Sequence, residues 1–287
     1  MSTPPFLTLP AGVETTHLPG GVGPLAALVA DPASNGWIGT PRGDIVLVPG
    51  FTGSKEDFIA VLAPLAALGW RVTTYDQRGQ YQSPGPDDAA AYSLDQFAAD
   101  LVGIGSDLPG PVHVVGHSFG GLVAREAALQ IGTGVIASLV LLCSGPGPIP
   151  VEDHVGLAFV RDQLPALPLS TLYDLTLQFT GSEPLPGVVG KFLRHRYESN
   201  NPWCLGTIAG HLISAKDRTD ELMALAHAGL PVAVVYGSGD DAWPLAEQDA
   251  VAAACGTAAV VIPDAGHSPA VDQPMLTAYA LDAVLAG

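Results

Sequence analysis

Between Ile45 and Leu142, short unbroken apolar runs alternate with longer stretches whose apolar residues recur at helical spacing. Ile45-Val46-Leu47-Val48 stops at Pro49-Gly50, as expected of a strand buried on both faces in a parallel sheet. Ser54-Lys55-Glu56-Asp57 then reads as a capping box. Phe58, Val61, Leu62, Leu65 and Leu68 follow at helical spacing up to a stop at Gly69. The unit repeats. Val72–Tyr75 is a strand, Asp76–Asp88 a polar loop, and Ser93-Leu94-Asp95-Gln96 opens a helix with Phe97, Leu101 and Val102 on one face. Val112–Val115, Phe119–Ile131 and Ile136–Leu142 continue as strand, helix and strand. Such alternation predicts an α/β fold with a doubly wound, mostly parallel sheet. Ahead of it, Val13–Leu18 and Leu25–Val29 flank Pro19-Gly20-Gly21-Val22-Gly23, the punctuation of a hairpin.

From residue 145 to 229 the rhythm stops. This stretch carries helix-compatible segments and the aromatics Phe159, Tyr173, Phe179, Phe192, Tyr197 and Trp203, but no clear buried-strand run. It reads as an inserted helical cap, or lid. The alternation returns with a strand at Val232–Tyr236, a helix near Ala246–Ala254, a strand at Ala258–Ile262 and a closing helix near Gln273–Leu285. Residues 1–144 and 230–287 are therefore expected to form one core around the insertion, and 287 residues fit one α/β unit as well as two domains.

Composition excludes several function classes. Apolar residues make up 48% and charged residues 14%, which supports a sizeable core and is the opposite of a disordered chain. Eleven Lys+Arg against 28 Asp+Glu give a formal charge of −17, which repels phosphate backbones and anionic bilayers, so neither nucleic acid nor membrane is expected as a partner. No apolar run approaches the roughly 18 residues of a bilayer span. The opening residues, Met1-Ser2-Thr3-Pro4-Pro5-Phe6, have no positive n-region, and a cytoplasmic enzyme or binding protein is expected. Cys143, Cys204 and Cys255 are widely spaced and odd in number, unlike a disulfide framework or metal cluster.

The chemistry concentrates at Gly116-His117-Ser118-Phe119-Gly120, directly after one predicted strand and before a helix. This is the context of a Gly-x-Ser-x-Gly nucleophile elbow. Small residues at 116 and 120 permit a strained turn that lifts the Ser118 hydroxyl above the sheet edge. A serine needs a base and the base needs an orienting acid. His267, in Pro263-Asp264-Ala265-Gly266-His267-Ser268-Pro269, is the one histidine beyond residue 227 and follows the last predicted strand, where doubly wound folds place their sites. The acid is expected at the end of the preceding strand, in Tyr236-Gly237-Ser238-Gly239-Asp240-Asp241-Ala242-Trp243-Pro244. Asp240 is favoured, Asp241 is the fallback, and Glu152 and Asp153 are weaker candidates inside the cap.

With these residues in place the chain resembles the α/β-hydrolase family over nearly its whole length outside the cap. Gly237-x-x-Asp240-x-x-x-Pro244 resembles the family's acid loop and Ala265-Gly266-His267 its histidine loop. Asp76-x-Arg78-Gly79 with Ser83 resembles its DxRGxGxS loop, with Tyr81 where a small residue is usual. Val48-Pro49-Gly50-Phe51-Thr52-Gly53 resembles the His-Gly oxyanion loop, with Pro49 replacing the His. The resemblance implies that the backbone N–H groups of Phe51 and Phe119 form an oxyanion hole. Ser118 excludes the aspartate-nucleophile branches, and Ser268 after His267 departs from the carbon–carbon bond hydrolases, which tend to carry Trp there.

The expected function is a serine hydrolase, carboxylesterase-like, that cleaves an ester or related acyl bond of a small apolar substrate through an acyl-enzyme on Ser118, with no metal or organic cofactor. Cofactor-free haloperoxidase or acyltransferase chemistry on the same triad, and a receptor-like binding protein with little turnover, are the alternatives. His117 is expected to be structural, Arg78 a loop brace, and Arg194-His195-Arg196 a solvated helix face.

Overall fold

In the computed structural model, which describes residues 1–132 and 134–286, the N-terminal hairpin forms from strands β1 (Val13–Leu18) and β2 (Leu25–Ala30), paired antiparallel from Val13 opposite Ala30 to Leu18 opposite Leu25. Gly287, the last residue of the expected core, lies outside the described residues. Six further strands follow in sequence: β3 (Gly43–Val48), β4 (Trp70–Tyr75), β5 (Val112–His117), β6 (Ile136–Leu142), β7 (Val232–Gly237) and β8 (Val260–Ile262). They lie in the order β1-β2-β4-β3-β5-β6-β7-β8. From β4 to β8 every neighbour is parallel, and β2 joins β4 antiparallel. This is the doubly wound, mostly parallel α/β sheet expected from the alternation.

The helices are α1 (Ile59–Ala67), α2 (Leu94–Ser106), α3 (Phe119–Ile131), α4 (His154–Gln163), α5 (Leu169–Thr180), α6 (Gly187–Glu198), α7 (Pro202–Ser214), α8 (Thr219–His227), α9 (Leu245–Ala254), α10 (Pro269–Asp272) and α11 (Pro274–Ala286). Strand pleating divides the core between the two sheet faces. On β3, Val46 and Val48 pack with Phe97 and Leu101 of α2 and Leu122 of α3, whereas Ile45 and Leu47 pack with Val61 and Leu65 of α1 and Leu281 of α11. All four β3 side chains are fully buried, which is why this strand is an unbroken apolar run. Local signals hold the helix starts. Ser54 N–H donates to Asp57 Oδ2 at 3.2 Å, and the Ser93 side chain accepts from Gln96 N–H.

Five helices occupy the chain between β6 and β7. Val160, Leu172, Tyr173, Tyr197, Leu205 and Ala209 of α4 to α7 make a separate apolar cluster, and Leu222 of α8 packs into the main core instead. β8 is shorter than its apolar run because it is the sheet edge: only β7 pairs with it, and Val261 is 46% exposed. Among the described residues no helix is long and apolar enough to cross a membrane.

Candidate active site

Ser118 joins the end of β5 to the start of α3 at φ 55°, ψ −123°, a conformation that costs a non-glycine residue about 1–3 kcal/mol. The surroundings hold it there. Ser118 N–H donates to the Leu142 carbonyl at 3.0 Å, and its own carbonyl accepts from Gly121 N–H at 2.8 Å and Ser144 Oγ at 2.9 Å. A Cβ at Gly116 would overlap the Gly120 carbonyl, and one at Gly120 would overlap that of Val48, so both motif glycines are required by close backbone approach. The N-terminus of α3 sits behind the serine and contributes positive potential there.

The loop after β7 carries Asp240 and the loop after β8 carries His267. Ser238 N–H donates to Ile262 O at 2.9 Å and Gly239 N–H to Ala265 O at 2.8 Å, which ties the two loops together. Asp272 Oδ2 accepts from Gly266 N–H at 2.9 Å and steadies the histidine loop from α10. His267 Nδ1 donates to Asp240 Oδ1 at 2.7 Å. Nε2 of His267 therefore carries the lone pair. Asp240 also accepts from Gln248 Nε2 at 2.8 Å and Ala242 N–H at 3.1 Å. Burial alone would raise the Asp240 carboxyl, but the hydrogen bond and charge of His267, with the Gln248 and Ala242 donors, outweigh it and hold the group below its ordinary range. Asp241 is exposed and lines the cavity without bonding His267, and Glu152 and Asp153 are exposed on a short turn before α4.

His117 makes a bond that sequence reasoning did not reach. Its Nε2–H donates to the backbone carbonyl of His267 at 2.6 Å, and the two imidazole centroids are 4.9 Å apart. Burial, reinforced by the neighbouring His267, pushes the His117 imidazole from 6.5 down to about 3. The folded protein keeps it neutral, whereas the unfolded chain protonates it near its ordinary value. Stability is therefore complete above 6.5 and falls toward pH 3, at about 1.4 kcal/mol per pH unit for one such group. His117→Gln retains a donor but cannot titrate. Its unfolding free energy, measured by urea denaturation over a pH series, is expected to fall by about one proton's slope less than that of the parent. An unchanged slope would remove His117 from the acid response. His113 and His211, also pushed down by burial, retain theirs.

The Phe51 loop is braced by residues that the sequence did not single out. Gln77 Nε2 donates to Pro49 O at 2.9 Å and Gln80 Nε2 to Gly50 O at 3.0 Å, and both side chains are buried. Together they tie the loop that carries Phe51 to the loop that follows β4. Arg78 is the expected brace: its guanidinium grips Asp100 bidentately at 2.7 and 2.8 Å and donates to Ala91 O at 2.9 Å. Tyr81 packs edge-on against Phe192 of α6, with centroids 5.7 Å apart, so the bulky residue links the loop to the helices between β6 and β7.

The Arg194-His195-Arg196 segment, expected as a solvated helix face, is solvated only in part. Arg194 is solvated and pairs with Asp174 and Glu198, but Arg196 is fully buried, with Nη1 on Asp57 Oδ1 at 2.6 Å and Nη2 on the Ser2 carbonyl at 2.8 Å. The reason is helical phase. Position 196 lies three residues after Leu193 and next to Tyr197, on the inward stripe of α6.

Ser118 and His267 open into one cavity of about 880 Å³, lined also by Phe159 and Val160 of α4, Phe179 of α5 and Tyr197 of α6. Phe51 lines it as well, and Phe119, at the first position of α3, is fully buried beneath. Cys143, Asp240 and His267 are the one group among the described residues whose side chains could jointly hold a metal ion. Burial, with the Asp240 charge next to it, pushes the Cys143 thiol well above its ordinary range, and a protonated thiol is a poor ligand.

Residues 45–280 match the model of the alpha/beta hydrolase family. A provisionally named carbamate hydrolase of Variovorax paradoxus strain S110 is 41% identical over 99 residues, 34% of this chain and 36% of that relative, so the match spans little more than a third of its length. A non-heme chloroperoxidase of Burkholderia pyrrocinia is 29% identical over 224 residues, 71% of this chain and 76% of its own. Among solved structures, a thermophilic esterase from Thermogutta terrifontis shares the fold at a TM-score of 0.73 and 24% identity, covering 95% of this chain and 98% of that one.

Proposed function

The chain belongs to the alpha/beta hydrolase family, and on that premise we propose that it is a serine esterase that cleaves small uncharged esters with an apolar acyl group. The observation that carries this reading is the 2.7 Å bond that His267 Nδ1–H donates to Asp240, which leaves Nε2 as a base in the cavity that also holds Ser118. In this mechanism His267 takes the Ser118 proton as Oγ attacks the acyl carbon. Asp240 fixes the imidazole tautomer and stabilises the imidazolium. The backbone N–H groups of Phe51 and Phe119 receive the developing oxyanion, each worth on the order of 10²–10³ in rate. His267 then protonates the leaving alcohol, and water, activated by the same imidazole, releases the acid and frees the serine.

The aromatic lining favours an apolar group, and Asp153 and Asp241 beside it disfavour an anionic one. A panel of p-nitrophenyl esters graded in acyl length is expected to show turnover, with the neutral butyrate ester preferred over the anionic hemisuccinate by at least about tenfold in kcat/KM. Preference for the hemisuccinate would contradict the substrate class, and no turnover of any ester would favour a binding protein. Perhydrolysis is the second reading, supported by the chloroperoxidase-named relative that spans most of the chain. It requires hydrogen peroxide in place of water at the deacylation step.

A further inference from the structure

We propose that residues 1–3 form a specificity-determining wall of the substrate cavity and limit the length of the apolar group it accepts. This rests on the esterase reading of Ser118. Met1, Ser2 and Thr3 line the same cavity as Ser118 and His267, so the opening segment borders the space in which a substrate sits.

Two hydrogen bonds hold it there. Ser2 Oγ lies 2.8 Å from Ser268 Oγ, one residue beyond His267. Arg196 of α6 donates Nη2–H to the Ser2 carbonyl at 2.8 Å. That guanidinium is fully buried and paired with Asp57, which itself accepts from Ser54 N–H. A buried cation is costly unless its N–H groups find acceptors. The Ser2 carbonyl is one of those acceptors, so releasing the segment would strand a donor, and the segment is retained as wall. The contacts bridge 194 and 266 residues of sequence and join α6 to the histidine loop. None touches the reacting atoms: the segment shapes the cavity and leaves the chemistry alone.

Two variants change the wall in opposite senses. Thr3→Trp narrows the cavity, and a chain with residues 2–5 deleted widens it. The readouts are kcat/KM for p-nitrophenyl decanoate relative to p-nitrophenyl acetate, and the affinity for the uncharged apolar fluorophore N-phenyl-1-naphthylamine. Thr3→Trp is expected to lower the decanoate-to-acetate ratio by about tenfold or more and to weaken fluorophore binding. The deletion is expected to raise the ratio. A ratio and a fluorophore affinity both within about twofold of the parent, in either variant that retains the parent circular dichroism, would overturn the proposal. Should the parent hydrolyse neither ester, the esterase reading fails by itself, and the fluorophore affinities alone decide whether residues 1–3 bound the cavity.

Discussion

Replacing Ser118 with alanine is expected to lower kcat/KM for a p-nitrophenyl ester by on the order of 10⁴-fold or more, with the unfolding free energy changed by less than about 1 kcal/mol. The asymmetry follows from where the hydroxyl sits. The serine backbone is held by the Leu142, Gly121 and Ser144 bonds, all to main-chain atoms that alanine retains. Ser118→Gly provides the complementary case. Glycine has no Cβ to strain at φ 55°, so this variant is expected to be as inactive as the alanine form but more stable by about 1 kcal/mol. Ester kinetics and urea denaturation of the two variants check both parts. An alanine variant that retains activity would remove Ser118 from the mechanism.

Asp240→Asn is the second large expected effect. The carboxylate accepts from His267 Nδ1, Gln248 and Ala242. An amide cannot accept in all of these directions, and by turning its NH₂ toward His267 it favours the imidazole tautomer with the proton on Nε2, which is useless as a base. A loss of about 10³–10⁴ in kcat is expected, with KM changed far less. Asp241→Asn alters an exposed carboxylate without a bond to His267, and its activity is expected within about threefold of the parent. Parallel kinetics of the two variants test the assignment, and the reverse ranking would transfer the acid to Asp241.

The parts of the molecule that were legible in the sequence are those governed by local rules. β3 is buried on both faces and appears as an unbroken apolar run. The capping box at Ser54, the Ser93 cap and the stop at Gly69 act within a few residues of themselves. The elbow is legible because Gly116 and Gly120 are fixed by close backbone approach, and the Asp240 loop because it ends a buried strand. The features that escaped depend on partners far away in sequence. Gln77 and Gln80 reach back about thirty residues to brace the Phe51 loop. A polar residue inside a loop carries no periodic signal of such a role. Arg196 looked solvated because its neighbours are basic, whereas its phase on α6 directs it inward. β8 lost its first two residues because an edge strand has only one neighbour to hold it.

Activation of the Ser118 hydroxyl as a nucleophile underlies the proposed ester cleavage, and active-site-directed labelling reads it without a substrate. The folded protein is incubated with a fluorophosphonate at neutral pH, and the modified peptide is identified by mass spectrometry. Stoichiometric labelling at Ser118 is expected, blocked by prior heat denaturation and slowed strongly in Asp240→Asn. Folded protein whose Ser118 remains unlabelled, or labels no faster than after denaturation, would contradict it.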